Sequence, residues 1–404
     1  METNLAQKNI PAQRLNKLSE SQTLAMARKS REMAANGIDV INLSIGEPDF
    51  DTPTFIKDAA KKAIDDNFTH YTPVPGFLDL RQAISAKFKR ENNLSYSPDQ
   101  IVVSTGAKQS IANVVLSIVE EGDEVIVPTP YWVSYIELIK LADGIPVEIK
   151  TNIKQDFKIS AEQLENAITL KTRMIIFSTP CNPSGSVYNY DELKSLVNVF
   201  EKHPNIIIVS DEIYEHINYV GSHQSIAQFK SVCNNVVTVN GVSKGYAMTG
   251  WRIGYIGAPI WIAKACEKMQ GQFTSGTCSI SQKAALAAIS ADAKVLEPMQ
   301  KEFTKRRALV LKLLSEIPGV ICNNPEGAFY IFPDISYYFG KNYGDYKIKN
   351  SHDFSIFILE VGHVAVVSGD AFGDDNCFRF SYACSEANII ESVKRIKETL
   401  AKLN

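Results

Sequence analysis

The chain lacks the common signatures of a membrane span, a nucleic-acid binder or a disulfide scaffold. Its 404 residues carry 42 Lys and Arg against 45 Asp and Glu, a formal charge of −3. No basic stripe stands out, which argues against nucleic acid as a partner; a small anionic ligand needs only a local cluster. No uninterrupted apolar run approaches the ~18 residues that a membrane span requires. The N-terminal METNLAQKNIPAQRLNK has no apolar core region, so no secretory leader is expected. Seven cysteines are scattered without a C-x-x-C pair, and six histidines form no H-x-x-x-H. Free or buried thiols in a cytoplasmic protein, surface or core histidines, and no metal site are the expectation. Internal repeats and low-complexity segments are absent.

What is present is alternation. Short β-branched runs at 101–104, 124–127, 174–178, 206–210, 236–240 and 252–256 are separated by amphipathic stretches. That pattern predicts an α/β fold whose strands are covered by helices on both faces. In residues 107–119, positions 111, 114, 115 and 118 share one helical face and Gly122 follows as a stop. The last hundred residues predict a second, α+β unit. It would hold a long helix over about 299–317, a strand-like GAFYIFPD at 327–334, an exposed polar loop at 336–350 and a short helix. Strand-like 364–368 and 378–382 follow, then a final helix capped by Ser385. In that helix positions 389, 393, 396, 400 and 403 give one apolar face. The domain expectation is an N-terminal segment 1–47 joining the small unit, a large domain 48–297 and a small domain 298–404.

Sites in open α/β sheets gather at the carboxyl ends of the strands. Five such ends carry candidates: STGAKQ (104–109), TPYW (129–132), PCNPSG (180–185), DEIY (211–214) and GVSKG (241–245). Small residues in STGAKQ precede a helix start, where unpaired N–H groups form an anion site. Lys108 opposes the dipole of that helix, and either a nearby anion offsets the cost or the side chain leans into solvent. Taken singly, Asp211 reads as a cap, Tyr214 as packing, Asn182 as a turn former and Trp132 as core. Arg252 and Arg379 lie in or beside apolar strand patterns (WRIGYIG, FRFSY), where a guanidinium is costly unless an anion pairs with it.

Together these stretches resemble a known family. SKGYAMTGWRIGY, DEIY some thirty residues before it, CNPSG, GEPDFDTP near the start and GAFYIFPD near the end are similar to the class I, fold-type I aminotransferases that use pyridoxal 5′-phosphate. The branch most resembled is that of bacterial aspartate and prephenate aminotransferases. The resemblance implies a mostly parallel central sheet and a homodimer with shared active sites. Lys244 would bond the cofactor's aldehyde and then carry a proton. Asp211 would pair with the pyridine nitrogen, Tyr214 and Asn182 would hold the 3′ oxygen, and Trp132 would stack on the ring. Gly106, Ala107, Ser243 and Arg252 would hold the phosphate, with Lys108 beside them and Tyr71 reaching it from the neighbouring subunit. Arg379 would clamp the substrate's α-carboxylate, Gly46 would let backbone approach it, and Lys108 with Thr23 would take a distal carboxylate. The reaction implied is ping-pong transfer between aspartate or glutamate and 2-oxo acids, prephenate included. An aromatic or other amino acid of the same class is the alternative substrate. NPSG stands where NPTG is common, and SKGY where SKxF is.

Two other readings compete. Residues 241–245 spell G-x-S-x-G, the nucleophile elbow of serine hydrolases, with Ser243 as nucleophile and Asp334 or Asp353 with His363 as partners. An elbow needs a helix after Gly245, and YAMTGWRIGYIG is rich in glycine and becomes strand-like instead. A non-catalytic pyridoxal-phosphate-binding regulator would carry a DNA-binding domain ahead of this part, and the matched motifs begin too early for one.

Overall fold

A computed structural model describes residues 12–404, so the first eleven residues of the expected N-terminal segment lie outside the described residues. The centre is a seven-stranded sheet. Its order is Ile101–Ser104, Gly254–Gly257, Val236–Gly241, Ile207–Asp211, Thr172–Ser178, Glu124–Pro128 and Ile145–Ile149. Gly254–Gly257 runs antiparallel to both of its neighbours, and the other six strands share one direction. Their carboxyl ends therefore open on the same edge.

The apolar runs follow from burial on both faces. Ile101 and Val103 pack with helices Leu78–Asn92 and Ser279–Ser290 on one side, whereas Val102 packs with Ala107–Ile118 and Ile260–Phe273 on the other. Two strand expectations need correction. Ile145–Ile149 was not foreseen, because it is an edge strand with Ile145 exposed and Pro146 and Glu148 interrupting the apolar pattern. The last expected strand begins at Gly254 rather than 252, because Arg252 adopts a left-handed conformation (φ 56°) after the turn Thr249–Trp251.

The C-terminal part is an antiparallel sheet of Val367–Ser368, Phe378–Ser381 and Tyr330–Ile331 packed with helices Glu297–Ser315, Ser351–Gly362 and Glu386–Leu400. Ser385 caps the final helix by accepting from the Asn388 N–H at 3.2 Å, and all five residues of its expected apolar face are buried. The expected strand 364–368 is split. Val364–Ala365 pairs in parallel with Ile41–Asn42, and after Val366 the chain crosses to the other sheet. The stretch 327–334 forms a strand only at Tyr330–Ile331. The expected loop 336–350 holds a hairpin, Asn342–Tyr343 against Tyr346–Lys347, and buries Tyr338 and Ile348. Its turn residues concealed that pairing. Among the described residues no helix is long and apolar enough to cross a membrane, and all seven cysteines are unpaired.

Candidate active site

All the residues singled out for the aminotransferase reading except Gly106 and Tyr71 line one pocket at the carboxyl edge of the central sheet. The three-stranded sheet contributes Arg379 and Tyr330, and the N-terminal segment contributes Thr23, Leu24 and Gly46. Four cations, Lys108, Lys244, Arg252 and Arg379, face two acids, Glu47 and Asp211. That surplus suits an anionic ligand.

Asp211 ends its strand on the pocket floor, buried at 5% exposure. Its carboxylate accepts from the Tyr135 hydroxyl at 2.6 Å and from the Ile213 N–H at 3.3 Å. Burial outweighs these bonds and pushes its pKa up to about 6. Lys244 follows the next strand. Desolvation, with Arg379 and Arg252 adding and Glu47 opposing, brings its ammonium down to about 8, and it donates to the Gly46 carbonyl. Tyr214, in the turn three residues past Asp211, meets the hydroxyl of Tyr330 at 2.7 Å.

At one end of the pocket, Gly106 starts helix Ala107–Ile118 with φ 81°. Its positive φ is what requires glycine; a Cβ there would come 2.4 Å from the Arg252 guanidinium, but that exposed group is flexible and could move aside. The N–H groups of Ala107 and Lys108 have no acceptor among the described residues, and Ser243 and Arg252 stand beside them. Arg252 is exposed, with one bond to the Thr249 carbonyl at 2.8 Å. The expectation that burial forces an anion on it is therefore corrected: its place over a helix N-terminus is what marks it.

Arg379 does fulfil the burial argument. It is 2% exposed, donates to Asn182 Oδ1 at 3.0 Å and to the Ser44 carbonyl at 2.6 Å, and leaves Nε without a partner. No carboxylate pairs with it among the described residues, so a ligand carboxylate would relieve a buried, unneutralised charge. Lys108 also lacks a carboxylate partner among the described residues, but it is exposed at the pocket rather than buried. Its Nζ lies 5.2 Å from the Trp132 ring, and partial desolvation of that end and Arg252 hold its pKa below the ordinary lysine value. Thr23, in the first turn of Gln22–Ala35, borders the same mouth.

The hydrolase reading fails on geometry. Gly245 is followed by turns and one short 3-10 turn at Thr249–Trp251 rather than an α-helix, and the pocket holding Ser243 contains no histidine; His363 ends helix Ser351–Gly362 elsewhere. Tyr71 is fully exposed and outside the pocket. Sequence reasoning missed Tyr135, Tyr330 and Glu47. Tyr135 lies three residues past Trp132 in the first turn of helix Ser134–Leu141, where a tyrosine reads as packing, and Tyr330 was hidden in an apolar run. It also missed a buried ionic cluster behind the Lys244 turn. There Lys87 meets Glu215, and His216 lies 2.9 Å from Glu91. A Cβ on Gly245 would come 2.7 Å from the His216 ring.

Fold and site together define a class of amino-group-transferring enzyme, and sequence comparison agrees. The class I and II aminotransferase profile matches residues 38–396, and the chain belongs to that family. It is 46% identical to the bifunctional aspartate aminotransferase and glutamate/aspartate-prephenate aminotransferase of Petunia hybrida, over 96% of this chain and 82% of that one. It is 46% identical to the aspartate/prephenate aminotransferase of Cereibacter sphaeroides, over 96% and 98%. The crystal structure of the aspartate aminotransferase from Rhizobium meliloti superposes with a TM-score of 0.95 at 42% identity, over 98% of this chain and all of that one.

Proposed function

We propose that the protein is a pyridoxal 5′-phosphate-dependent aspartate aminotransferase. It would convert L-aspartate and 2-oxoglutarate to oxaloacetate and L-glutamate by a ping-pong route, with prephenate, which also carries a distal carboxylate, as a further acceptor. The names of its relatives at 46% identity support this substrate class. The observation that carries the reading is Asp211: a buried carboxylate with a raised pKa and no cation in contact, facing a desolvated lysine across a cationic pocket. Those residues fit the cofactor. When bound, it supplies an aldehyde that takes up the amino group and a ring that draws electrons from the substrate's Cα.

The chain's own residues do the rest. Asp211 holds positive charge at the ring nitrogen. Asn182 has its Oδ1 engaged by Arg379, which leaves its Nδ2 to donate, with Tyr214, to the 3′ oxygen. Trp132 covers a ring face. Gly106, the Ala107 N–H, Ser243 and Arg252 receive the phosphate at a helix N-terminus. Arg379 takes the α-carboxylate as a bidentate pair beside Gly46. Lys108 and Thr23 take the distal carboxylate. Lys244, poised near neutrality, moves the proton to and from Cα. In this reading a large domain of residues 48–297 and a small one of 298–404, joined by the segment up to 47, form a cytoplasmic homodimer in which Tyr71 serves the other subunit's phosphate.

Borohydride reduction of the loaded protein followed by peptide mapping should fix the chromophore on Lys244; a label elsewhere sinks the reading. Lys108→Ala should raise KM for aspartate and glutamate roughly tenfold or more while changing KM for an apolar amino acid little, because the lost partner faces only the distal carboxylate. Equal losses on both would remove Lys108 from that role.

A further inference from the structure

Tyr330 is fully buried at the junction of three parts of the chain. It pairs with Ser381 in the three-stranded sheet, so Arg379 lies diagonally across on the same face. The Arg379 guanidinium carbon is 4.7 Å from the Tyr330 ring centroid. The Tyr330 hydroxyl is 2.7 Å from that of Tyr214 and touches the backbone of the N-terminal segment: a Cβ on Gly46 would come within 2.4 Å of it. A phenylalanine would fill this space equally well. The hydroxyl instead meets a single side-chain partner, the phenol next to Lys244.

The geometry points to Tyr330 as a positioning residue that ties the carboxylate clamp Arg379 to the Tyr214 hydroxyl. This rests on the aminotransferase reading. Two phenols share two protons and one mutual hydrogen bond. If Tyr330 donates to Tyr214, the proton of Tyr214 is free to point at the cofactor's ring oxygen; in the reverse arrangement it is used up. The guanidinium against the Tyr330 ring polarises its O–H and favours it as the donor. A substrate carboxylate on Arg379 weakens that polarisation, so its arrival is felt at Tyr214.

The test follows the absorbance of the bound cofactor against pH in the wild type and in Tyr330→Phe, Tyr214→Phe and the double variant. Tyr330→Phe should move the midpoint by about half a pH unit or more with KM for aspartate within about twofold. In the Tyr214→Phe background it should add nothing, because its effect runs through that hydroxyl. Tyr330→Leu, which also removes the ring under Arg379, should raise KM as well. An unchanged midpoint in Tyr330→Phe, or a shift that persists in full without the Tyr214 hydroxyl, overturns the proposal and leaves the aminotransferase reading standing. A wild type that takes up no chromophore overturns both.

Discussion

Burial shifts both Asp211 and Lys244 toward their uncharged forms, so each charge is costly to hold near neutral pH. The carboxyl rises from 3.8 to about 6, so between those values the native apoprotein keeps a proton that the unfolded chain has released. That contribution makes stability fall as pH climbs through the interval, with the full penalty above about 6. The amine falls from 10.5 to about 8, so its penalty is complete below about 8 and is relieved toward 10.5. The cofactor-free protein thus carries both costs between about pH 6 and 8. Asp211→Asn keeps an acceptor for the Tyr135 hydroxyl and removes the charge. It should stabilise the apoprotein at pH 7.5 by about 2–3 kcal/mol, an advantage that fades as pH drops from 6 toward 4, while turnover falls by roughly a thousandfold. Thermal melts across pH check the first part and steady-state kinetics the second; a variant less stable than wild type at pH 7.5 contradicts the argument. Asp211 was a candidate because it leaves an apolar strand at its carboxyl end, although taken singly it reads as a cap and only the resemblance gave it a role. Its partner Tyr135 was not a candidate, because a tyrosine on a helix reads as packing until the fold brings it to a carboxylate.

The start of helix Ala107–Ile118 is fixed by contact with the reversed strand Gly254–Gly257. A Cβ on Gly254 would lie 2.2 Å from the Ala107 nitrogen and 2.5 Å from the Gly106 carbonyl carbon, both backbone atoms that cannot swing away. Gly250, four residues earlier, has nothing within 4 Å. Gly254→Ala should cost about 1–3 kcal/mol or more through overpacking and weaken phosphate-cofactor affinity, because the N–H groups that meet the phosphate move. Gly250→Ala should change neither by a measurable amount. Melting curves and cofactor titrations on the two variants decide it; equal behaviour would show that the helix start does not depend on this approach. Elements of this kind were read well where burial on both faces wrote an unbroken apolar run. Where the pattern carried less information, the edge strand Ile145–Ile149 and the hairpin inside a polar stretch were missed, and the strand expected over 364–368 proved to be two two-residue strands around Val366. Arg252 shows the limit of pattern reading. Its neighbours look like a strand, yet its own left-handed backbone ends a turn, and its relation to Gly106 appears only in three dimensions.

At the scale of the whole molecule, Tyr71 is the residue that one chain cannot explain. It is fully exposed and lines no part of the pocket, although the resemblance assigns it to the phosphate. A second copy resolves this if each protomer lends Tyr71 to the other's site. The consequence is complementation. Tyr71→Ala and Lys244→Ala homodimers would each lack a component in both sites. In a mixed dimer, the Tyr71→Ala protomer keeps its own lysine and receives the intact tyrosine of its partner, which restores one site. Random reassortment of equal amounts makes about half of all dimers mixed, each with one competent site of two, so the mixture should recover about a quarter of wild-type activity. The other mixed-dimer site stays inactive, lacking both groups. If Tyr71 acted within its own chain, the same mixed dimers would contain no complete site and recover nothing. Native mass spectrometry to confirm the mixed species, alongside the aspartate assay, separates the two cases.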